Sequence, residues 1–426
     1  MAIDSLLKPF QRFGVNLGLE RIQKLLANLG NPHHQVPIVH VAGSNGKGSV
    51  CAYLSSVLTQ AGYRTGRYTS PHLVDWTERI CLNQEPISPE DFYQLLLQVQ
   101  AAIAPIDEPP TQFEIITAAA WLYFAQQQVD IAVIEVGLGG RLDATNVCDR
   151  PAVTIITSIS REHWQNLGPT IADIAREKAG ILKPGCPAVV GPLLPDAEKV
   201  VRSRLVELQC PAFRPASARQ IATGWAEYKS IINPNRTIKY PLSLQGQIQL
   251  TNSALALAAV EILQTKGWQI PPAAITNGMA KTKWPGRMQW TRWKNHKLLL
   301  DGAHNSAAAK VLRDYVNTLD IPAVSWVMGI LSTKDHSDIF KALLRANDRL
   351  YLVPVPDRSS ACPEELAVIA KQICPDLSFC SPYPDLFSGL EAAFSFTENL
   401  VVLCGSLYLV GHFLESTRIN QIESLA

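Results

Sequence analysis

The stretch "HVAGSNGKGSV", His40 to Val50, gathers the residue types that hold a polyphosphate. Closely spaced glycines let several backbone N–H groups turn toward one anion, and a helix starting at such a turn adds its positive end. Lys47 supplies a point charge for the outer phosphates, and Ser49 a hydroxyl beside a phosphate-bound metal. The spacing departs from the G-x-x-x-x-G-K-[ST] form: Val41 stands where the first Gly belongs, and Gly48 separates Lys47 from Ser49. A bare tight turn would need the glycines only for positive φ. The positions of Lys47 and Ser49 favour ATP instead.

Other stretches offer metal and anion chemistry. "EVGLGGRLDATN" (Glu135–Asn146) puts a carboxylate at the end of an apolar run. Glu135 there suits Mg²⁺, which takes oxygen ligands and bridges phosphates. The plain alternative is a turn in which Arg141 and Asp143 pair on the surface. "SPH" (Ser70–His72) and "REHWQNLG", with His163, set hydroxyl and imidazole groups after two further runs. Asp301 in "DGAHN" follows another, either as a ligand-side carboxylate or as a turn residue. Lys178, in "IAREKAGI", reads on physics alone as a solvated charge on an amphipathic helix.

These residues need a scaffold that brings strand ends together. "VPIVHVAG" predicts a buried strand running into the phosphate loop. "KGSVCAYLSSVLTQAG" predicts a helix with Val50, Leu54, Val57, Leu58 and Ala61 on one face and Gly62 as its C-cap. Strands are expected at Asp130–Val136, Ala152–Ile159 and Pro187–Pro192, with the helix "TIADIAREKAGIL" between the last two. Continuous apolar strands alternating with helices imply a parallel sheet covered on both faces. Residues 194–250 are less regular, with "INPNRTIKYPLSL" hairpin-like, before the helix "LTNSALALAAVEIL". "KTKWPGRMQWTRW" (Lys281–Trp293) reads as a boundary. Beyond it "HKLLL", "AVSWVMGI", "RLYLVPVP" and "NLVVLCGSLYLVG" are expected strands, with "SDIFKALLRAN" and "PEELAVIAKQI" as helices. The expected architecture is α/β. A P-loop-like ATPase domain with a mostly parallel sheet would span 1–286, and a smaller Rossmann-like α/β domain 287–426.

The bulk numbers narrow the class. A chain of 426 residues exceeds what one core usually organises. With 38 basic and 37 acidic residues, the net charge of +1 offers no field for nucleic acid. No apolar run approaches the ~18 residues of a membrane span, and the N-terminus lacks a signal-peptide pattern. The nine cysteines include no C-x-x-C pair, so reduced thiols and a cytoplasmic protein are expected. No coiled coil is evident, and a monomer is expected.

Taken together, "HVAGSNGKGSV", "YTSPHL", "FEIITAAA", "EVGLGGRLDATN", "EKAGI", "WPGRMQ", "DGAHN" and "GSLYLVG" resemble the folylpolyglutamate synthase/dihydrofolate synthase family of the Mur ligase superfamily. The resemblance runs from about Gly14 to Gly411, with the motifs in the family's order. It also accounts for the unusual loop, because the family's own variant is G-T-N-G-K-G-S; Ser44 here stands for the Thr.

The resemblance implies roles. Ser44, Asn45, Gly46, Lys47, Gly48 and Ser49 would hold ATP, with Asn252, Arg287 and Asp301 around it. Ser70, Glu135 and His163 would be Mg²⁺ ligands. Lys178 would be N6-carboxylated, turning a cation into an anion that binds metal or orients an acyl phosphate. Lys47, His163 and Lys178 would be the catalytic set. Gly18 and Leu19, with Leu142, Asp143 and Ala144, would border the pterin substrate, and His304 and Ser406 are our choices for the glutamate side. Two departures stand out. Glu162 replaces the Asp that precedes the family's His, and Ile248 occupies the His position of G-x-H-Q. The implied reaction joins L-glutamate to dihydropteroate, to folyl-polyglutamates, or to both, through an acyl phosphate. The other readings are a related ligase with a different acyl acceptor and a non-catalytic ATP-binding protein.

Overall fold

The computed structural model describes residues 2–11, 15–104, 108–356, 359–395 and 400–423. The chain divides into two compact units, Met1–Ser243 with Gln249–Lys283, and Leu244–Ile248 with Trp284–Ala426.

The first unit is built on an eight-stranded sheet. Its order is Glu85–Pro86, Ile80–Leu82, Thr65–Tyr68, Ile131–Glu135, Ile38–Ala42, Val153–Ile156, Ala188–Val190 and Ala212–Phe213. Pairing is parallel from Thr65–Tyr68 onward and antiparallel at the Glu85 edge. The three central strands are buried throughout, which is why they read as continuous β-branched runs rather than alternating ones. Registers of Val41 with Glu135 and Ala42 with Ile156 align their C-terminal ends. The loops that follow therefore open on one sheet edge, where α/β sheets bind ligands.

The helix after the phosphate loop, Lys47–Gln60, is buried on every side from Ser49 to Leu58. The expected single apolar face is thus too narrow. Cys51, Ala52, Tyr53, Ser55 and Ser56 are enclosed as well, because helix Pro272–Lys281 covers the outer side and Ser56 Oγ donates to Gly278 O at 2.8 Å. Gly62 does close the helix: its φ is +92°, and Gly62 N and Tyr63 N donate to Thr59 O and Leu58 O, the left-handed cap pattern.

Residues 194–250 hold more order than their pattern suggests. Pro195–Glu207 is a helix. Arg219–Ala222, Trp225–Lys229 and Thr237–Pro241 form an antiparallel sheet; the hairpin-like stretch supplies its last strand and the turn before it, while the pairing strand Trp225–Lys229 lies upstream. The helix Ile248–Thr265 carries Glu261, 3% exposed, which accepts from Tyr228 Oη at 2.9 Å and Ile231 N at 3.0 Å. Removing that carboxylate orphans the buried Tyr228 hydroxyl and the partly buried Ile231 N–H. Glu261→Ala is expected to lower unfolding free energy by about 3 kcal/mol, read as a shift of the denaturant midpoint with the slope unchanged; a midpoint that stays put would show the hairpin is anchored elsewhere.

The second unit has a six-stranded sheet ordered Gln289–Trp293, His296–Leu300, Leu400–Cys404, Val324–Met328, Arg349–Leu352, Phe379–Pro382. Only the first pair is antiparallel. Gln289–Trp293, read from sequence as part of a boundary, is therefore an edge strand. "NLVVLCGSLYLVG" is likewise not one strand. It stops at Cys404, Gly405 turns with φ +99°, and helix Leu407–Glu423 begins. An apolar run cannot by itself distinguish a strand from a buried helix. The core includes the fully buried Trp326, whose Nε1 donates to Asp348 at 3.0 Å, and Asp348 pairs with Arg313 at 3.2 Å. No helix among the described residues is long and apolar enough to cross a membrane.

Candidate active site

The phosphate loop is tied to the neighbouring strand end. Ser44 N donates to Ser158 O at 2.7 Å, Asn45 N to Ser158 Oγ at 3.1 Å, and Thr157 Oγ1 to Asn45 O at 2.7 Å. Ser44 Oγ donates to Ser160 O and accepts from Ser160 N. Lys47 opens the helix and folds back, its Nζ 2.9 Å from Gly43 O and 3.1 Å from Ser44 O. Its charge is thus held over the loop by two carbonyls. Gly48 stays in the first helical turn, and Ser49 Oγ lies 3.4 Å from Gln249 Nε2. Asn252 Nδ2 donates to Gln249 Oε1 at 3.1 Å, so Asn252 and Gln249 form a polar backing to the loop.

Gly46 tolerates no side chain. Its φ is +88°, and a Cβ would sit 2.5 Å from Asn252 Oδ1. Backbone strain of about 1–2 kcal/mol adds to that clash. Gly46→Ala is expected to raise the KM for ATP about tenfold or more; an unchanged KM would mean that the loop does not cradle phosphate.

Around this loop the strand ends deliver the other candidates. Glu135 ends its strand buried, and its Oε2 accepts from Ser70 N at 3.2 Å. Ser70 follows Thr65–Tyr68. His163 follows Val153–Ile156, on the other side of the phosphate-loop strand, is exposed, and adopts a left-handed φ of +46° at the start of the short helix Trp164–Leu167. Among the described residues no three or more His, Cys, Asp and Glu side chains form a group able to hold a metal. An all-protein cage is not what this sheet edge builds. A buried carboxylate with hydroxyls beside a phosphate loop fits Mg²⁺, which keeps waters and is bound by one or two carboxylates plus phosphates.

Lys178 is the largest surprise for a reading from physics alone. It is 3% exposed, not solvated. Its Nζ donates to Gly43 O at 2.8 Å and pairs with Glu162 Oε1 at 2.9 Å. The helix Ile171–Ala179 turns this position inward, so a charge faces the back of the phosphate loop. Burial lowers the proton affinity of the Lys178 amine, opposed by Glu162. Burial works against an ionised Glu162 too, but Lys178, Lys47 and His163 outweigh it and hold that carboxyl far below the usual carboxylate range. Glu162, noted only as a departure, is therefore part of the site's charge balance.

The loop after Glu135 packs on the Lys178 helix. Arg141 N donates to Glu177 O at 2.7 Å, and the Arg141 side chain pairs with Glu177 at 2.8 Å. This replaces the Arg141–Asp143 surface pair considered from sequence. Asp143 is buried and accepts from Leu138 N at 2.7 Å and from Thr145 N and Oγ1 at 3.0 and 2.5 Å. Burial nevertheless raises its proton affinity. Leu142 is half-buried and Ala144 buried beside it. Gly18 and Leu19 precede helix Glu20–Asn28 and are half-buried. From that helix Arg21 reaches Glu114 at 3.1 Å. Next to Glu114, the Phe113 ring covers Gly137, whose Cβ would lie 2.4 Å from Phe113 Cζ. Arg21, Phe113 and Glu114 thus link "GLERI", "FEIITAAA" and the Glu135 loop, a grouping that spacing along the chain could not reveal.

In the second unit, Asp301 accepts from Met288 N and Ala303 N, both at 2.8 Å. Burial raises its proton affinity, opposed by the Arg287 guanidinium. His304 Nδ1 lies 2.8 Å from Gly302 O. Ser406 is buried just before helix Leu407–Glu423, its Oγ accepting from Tyr408 N at 3.2 Å. Ile248, with Leu244–Ile248, belongs to this unit and packs against its apolar core.

A model of the Mur ligase middle domain matches residues 41–260, more than half the chain, and one of the dihydrofolate synthetase C-terminal domain matches 287–416. A "Probable dihydrofolate synthetase" of Schizosaccharomyces pombe is 36% identical, covering 95% of this chain and 99% of that one. The "Dihydrofolate synthase/folylpolyglutamate synthase" of Bacillus subtilis is 34% identical over 94% of each. This chain belongs to the folylpolyglutamate synthase/dihydrofolate synthase family. Solved structures agree. The Mycobacterium tuberculosis folylpolyglutamate synthase complexed with ADP superposes with a TM-score of 0.88 at 31% identity, over 97% of this chain and 98% of that one. A bifunctional folylpolyglutamate synthase/dihydrofolate synthase with Mn, AMPPNP and L-glutamate bound gives 0.83 at 31%, over 98% of each. The chain is thus an ADP-forming C–N ligase with the Mur ligase fold. The family assignment disfavours both the ligase with another acyl acceptor and the non-catalytic reading.

Proposed function

We propose that this family member joins L-glutamate both to 7,8-dihydropteroate and to the γ-carboxylate of reduced folyl-polyglutamates, as a cytoplasmic monomer using Mg²⁺. The observation that carries the ligase chemistry is Lys178 held against the phosphate loop, 2.8 Å from Gly43 O. The double activity is supported by the Bacillus subtilis relative, which is named for both. All nine cysteines are free thiols, which fits a reducing compartment.

A free carboxylate is a poor electrophile because its leaving group would be oxide. Its oxygen therefore attacks the γ-phosphorus of ATP, the bond to the ADP oxygen breaks, and an acyl phosphate forms. The amine of glutamate then adds to the acyl carbon, loses a proton, and expels phosphate. Carboxylate and triphosphate are both anions, and two unit charges about 4 Å apart repel by about 4 kcal/mol at an effective dielectric near 20. Lys47 and the Gly46–Ser49 amides offset that charge and position the phosphates. Glu135, with Ser70 and His163, would hold Mg²⁺, which would supply neutralisation of phosphate charge. In the first unit Asn252 serves the nucleotide; in the second, Arg287 and Asp301 are assigned to the nucleotide and His304 and Ser406 to glutamate. Lys178 works as its carbamate: the amine of lowered proton affinity adds CO₂ and releases a proton. The carbamate would be formed on the amine that now pairs with Glu162, and the Lys47 charge would offset the added negative group.

Acceptor labelled with ¹⁸O in its carboxylate tests the chemistry. One ¹⁸O per turnover is expected in the released phosphate. Unlabelled phosphate, with ligation intact, would exclude the acyl phosphate. Intact mass in bicarbonate against CO₂-free buffer tests the carbamate.

A further inference from the structure

His40 is a buried polar group that the proposed chemistry does not use. His40 sits in the middle of strand Ile38–Ala42, 1% exposed, three residues before Gly43. A Val or Ile would fill such a position without a polar atom to satisfy. Instead, His40 Nε2 lies 2.9 Å from Thr145 Oγ1, and Thr145 is fully buried. Thr145 Oγ1 is in turn 2.5 Å from Asp143 Oδ1, with Thr145 N on the same oxygen at 3.0 Å. A hydroxyl has one proton. With the Asp143 carboxylate accepting, that proton goes to Asp143, so Thr145 Oγ1 must accept from His40. The imidazole is then fixed as the Nε2–H tautomer. Burial, with Lys183 adding to it, pushes the His40 pKa down to about 3, so the ring stays neutral.

The line His40–Thr145–Asp143 joins the strand that feeds the phosphate loop to the loop bearing Leu142 and Ala144. On its other side the same loop is clamped to the Lys178 helix: Asn146 Nδ2 donates to Arg141 O at 3.0 Å and Gly180 O at 3.1 Å. Residues 137–146 contain no helix or strand, so their shape depends on such anchors. We propose that His40, acting through Thr145 and Asp143, is a positioning residue that sets the place of Leu142–Ala144 and thereby the affinity for the pteroate-type acceptor. This rests on the reading that Leu142–Ala144 border that acceptor. A buried histidine that only fills space is the competing account.

The test uses the full-length enzyme. His40→Leu and Thr145→Val remove the link, whereas His40→Gln and Thr145→Ser keep a donor and a hydroxyl. The expected result is a rise of about tenfold in KM for dihydropteroate in each of the first two, with KM for ATP within about twofold. The double variant should be no worse than either single one, and the conservative pair should recover. In ¹⁵N spectra of the unsubstituted enzyme, His40 should show the Nε2–H tautomer, with its signature shifted in Thr145→Val. Equal rises in both KM values, or lost thermal stability with unchanged KM, would overturn the proposal, as would the other tautomer. Leu142→Ala separates the two failures. If it raises the acceptor KM while His40→Leu does not, the positioning role alone is wrong. If neither moves it, the reading of the loop as a substrate wall has failed, and the proposal falls with it.

Discussion

Lys47→Ala is expected to lower kcat/KM for glutamate-dependent ADP release by about 10³-fold or more. Lys47 Nζ is pre-positioned by Gly43 O and Ser44 O at 2.9 and 3.1 Å, so its charge requires little reorganisation when phosphate arrives. Two anions must meet at this point, and no other lysine is assigned to the outer phosphates. The fold should survive, because the hydrogen bonds of the side chain go to two loop carbonyls and it is partly exposed. The unfolding midpoint therefore serves as a control. Near-normal turnover in a folded Lys47→Ala enzyme would refute the phosphate-loop assignment.

The second large effect is at Lys178, where stability and chemistry must be separated. With its amine unmodified Lys178 pairs with Glu162, so Lys178→Ala leaves Glu162 buried without that partner, and breaking such a pair costs about 3–5 kcal/mol. Activity lost in that variant alone could reflect unfolding. Lys178→Met with Glu162→Gln removes both charges while keeping volume, and buried pairs replaced by neutral groups are often tolerated. The double variant is expected to unfold within about 1 kcal/mol of the unsubstituted enzyme and still ligate at least about 10²-fold more slowly. Recovery of turnover along with stability would make Lys178 a structural cation only.

The sequence made the phosphate loop and Glu135 legible because both follow apolar runs whose parallel pairing leaves their ends on one edge. The inward turn of Lys178 was not legible from residue physics. A lysine between Glu177 and Ala179 has the surroundings of a surface charge until the loop at Gly43 is folded against it, and only the family resemblance singled it out. The Arg141–Glu177 pair was hidden for the same reason, since both partners had nearer formal mates in sequence. The enclosed helix Lys47–Gln60 looked amphipathic because Ser55 and Ser56 count as polar, although Ser56 has its acceptor on Pro272–Lys281. The Cys404–Leu407 break shows the limit of hydropathy, where strand and helix are equally apolar and only Gly405 marks the change. Leu244–Ile248 joins the second unit from within the first unit's sequence, a crossing that no local pattern signals.

The most direct measurement is ADP release by the purified enzyme as L-glutamate is added, with 7,8-dihydropteroate and tetrahydrofolate as parallel acceptors. Release with both acceptors, and none without glutamate, is the predicted result. Tight ATP binding with no release on either acceptor would contradict the account.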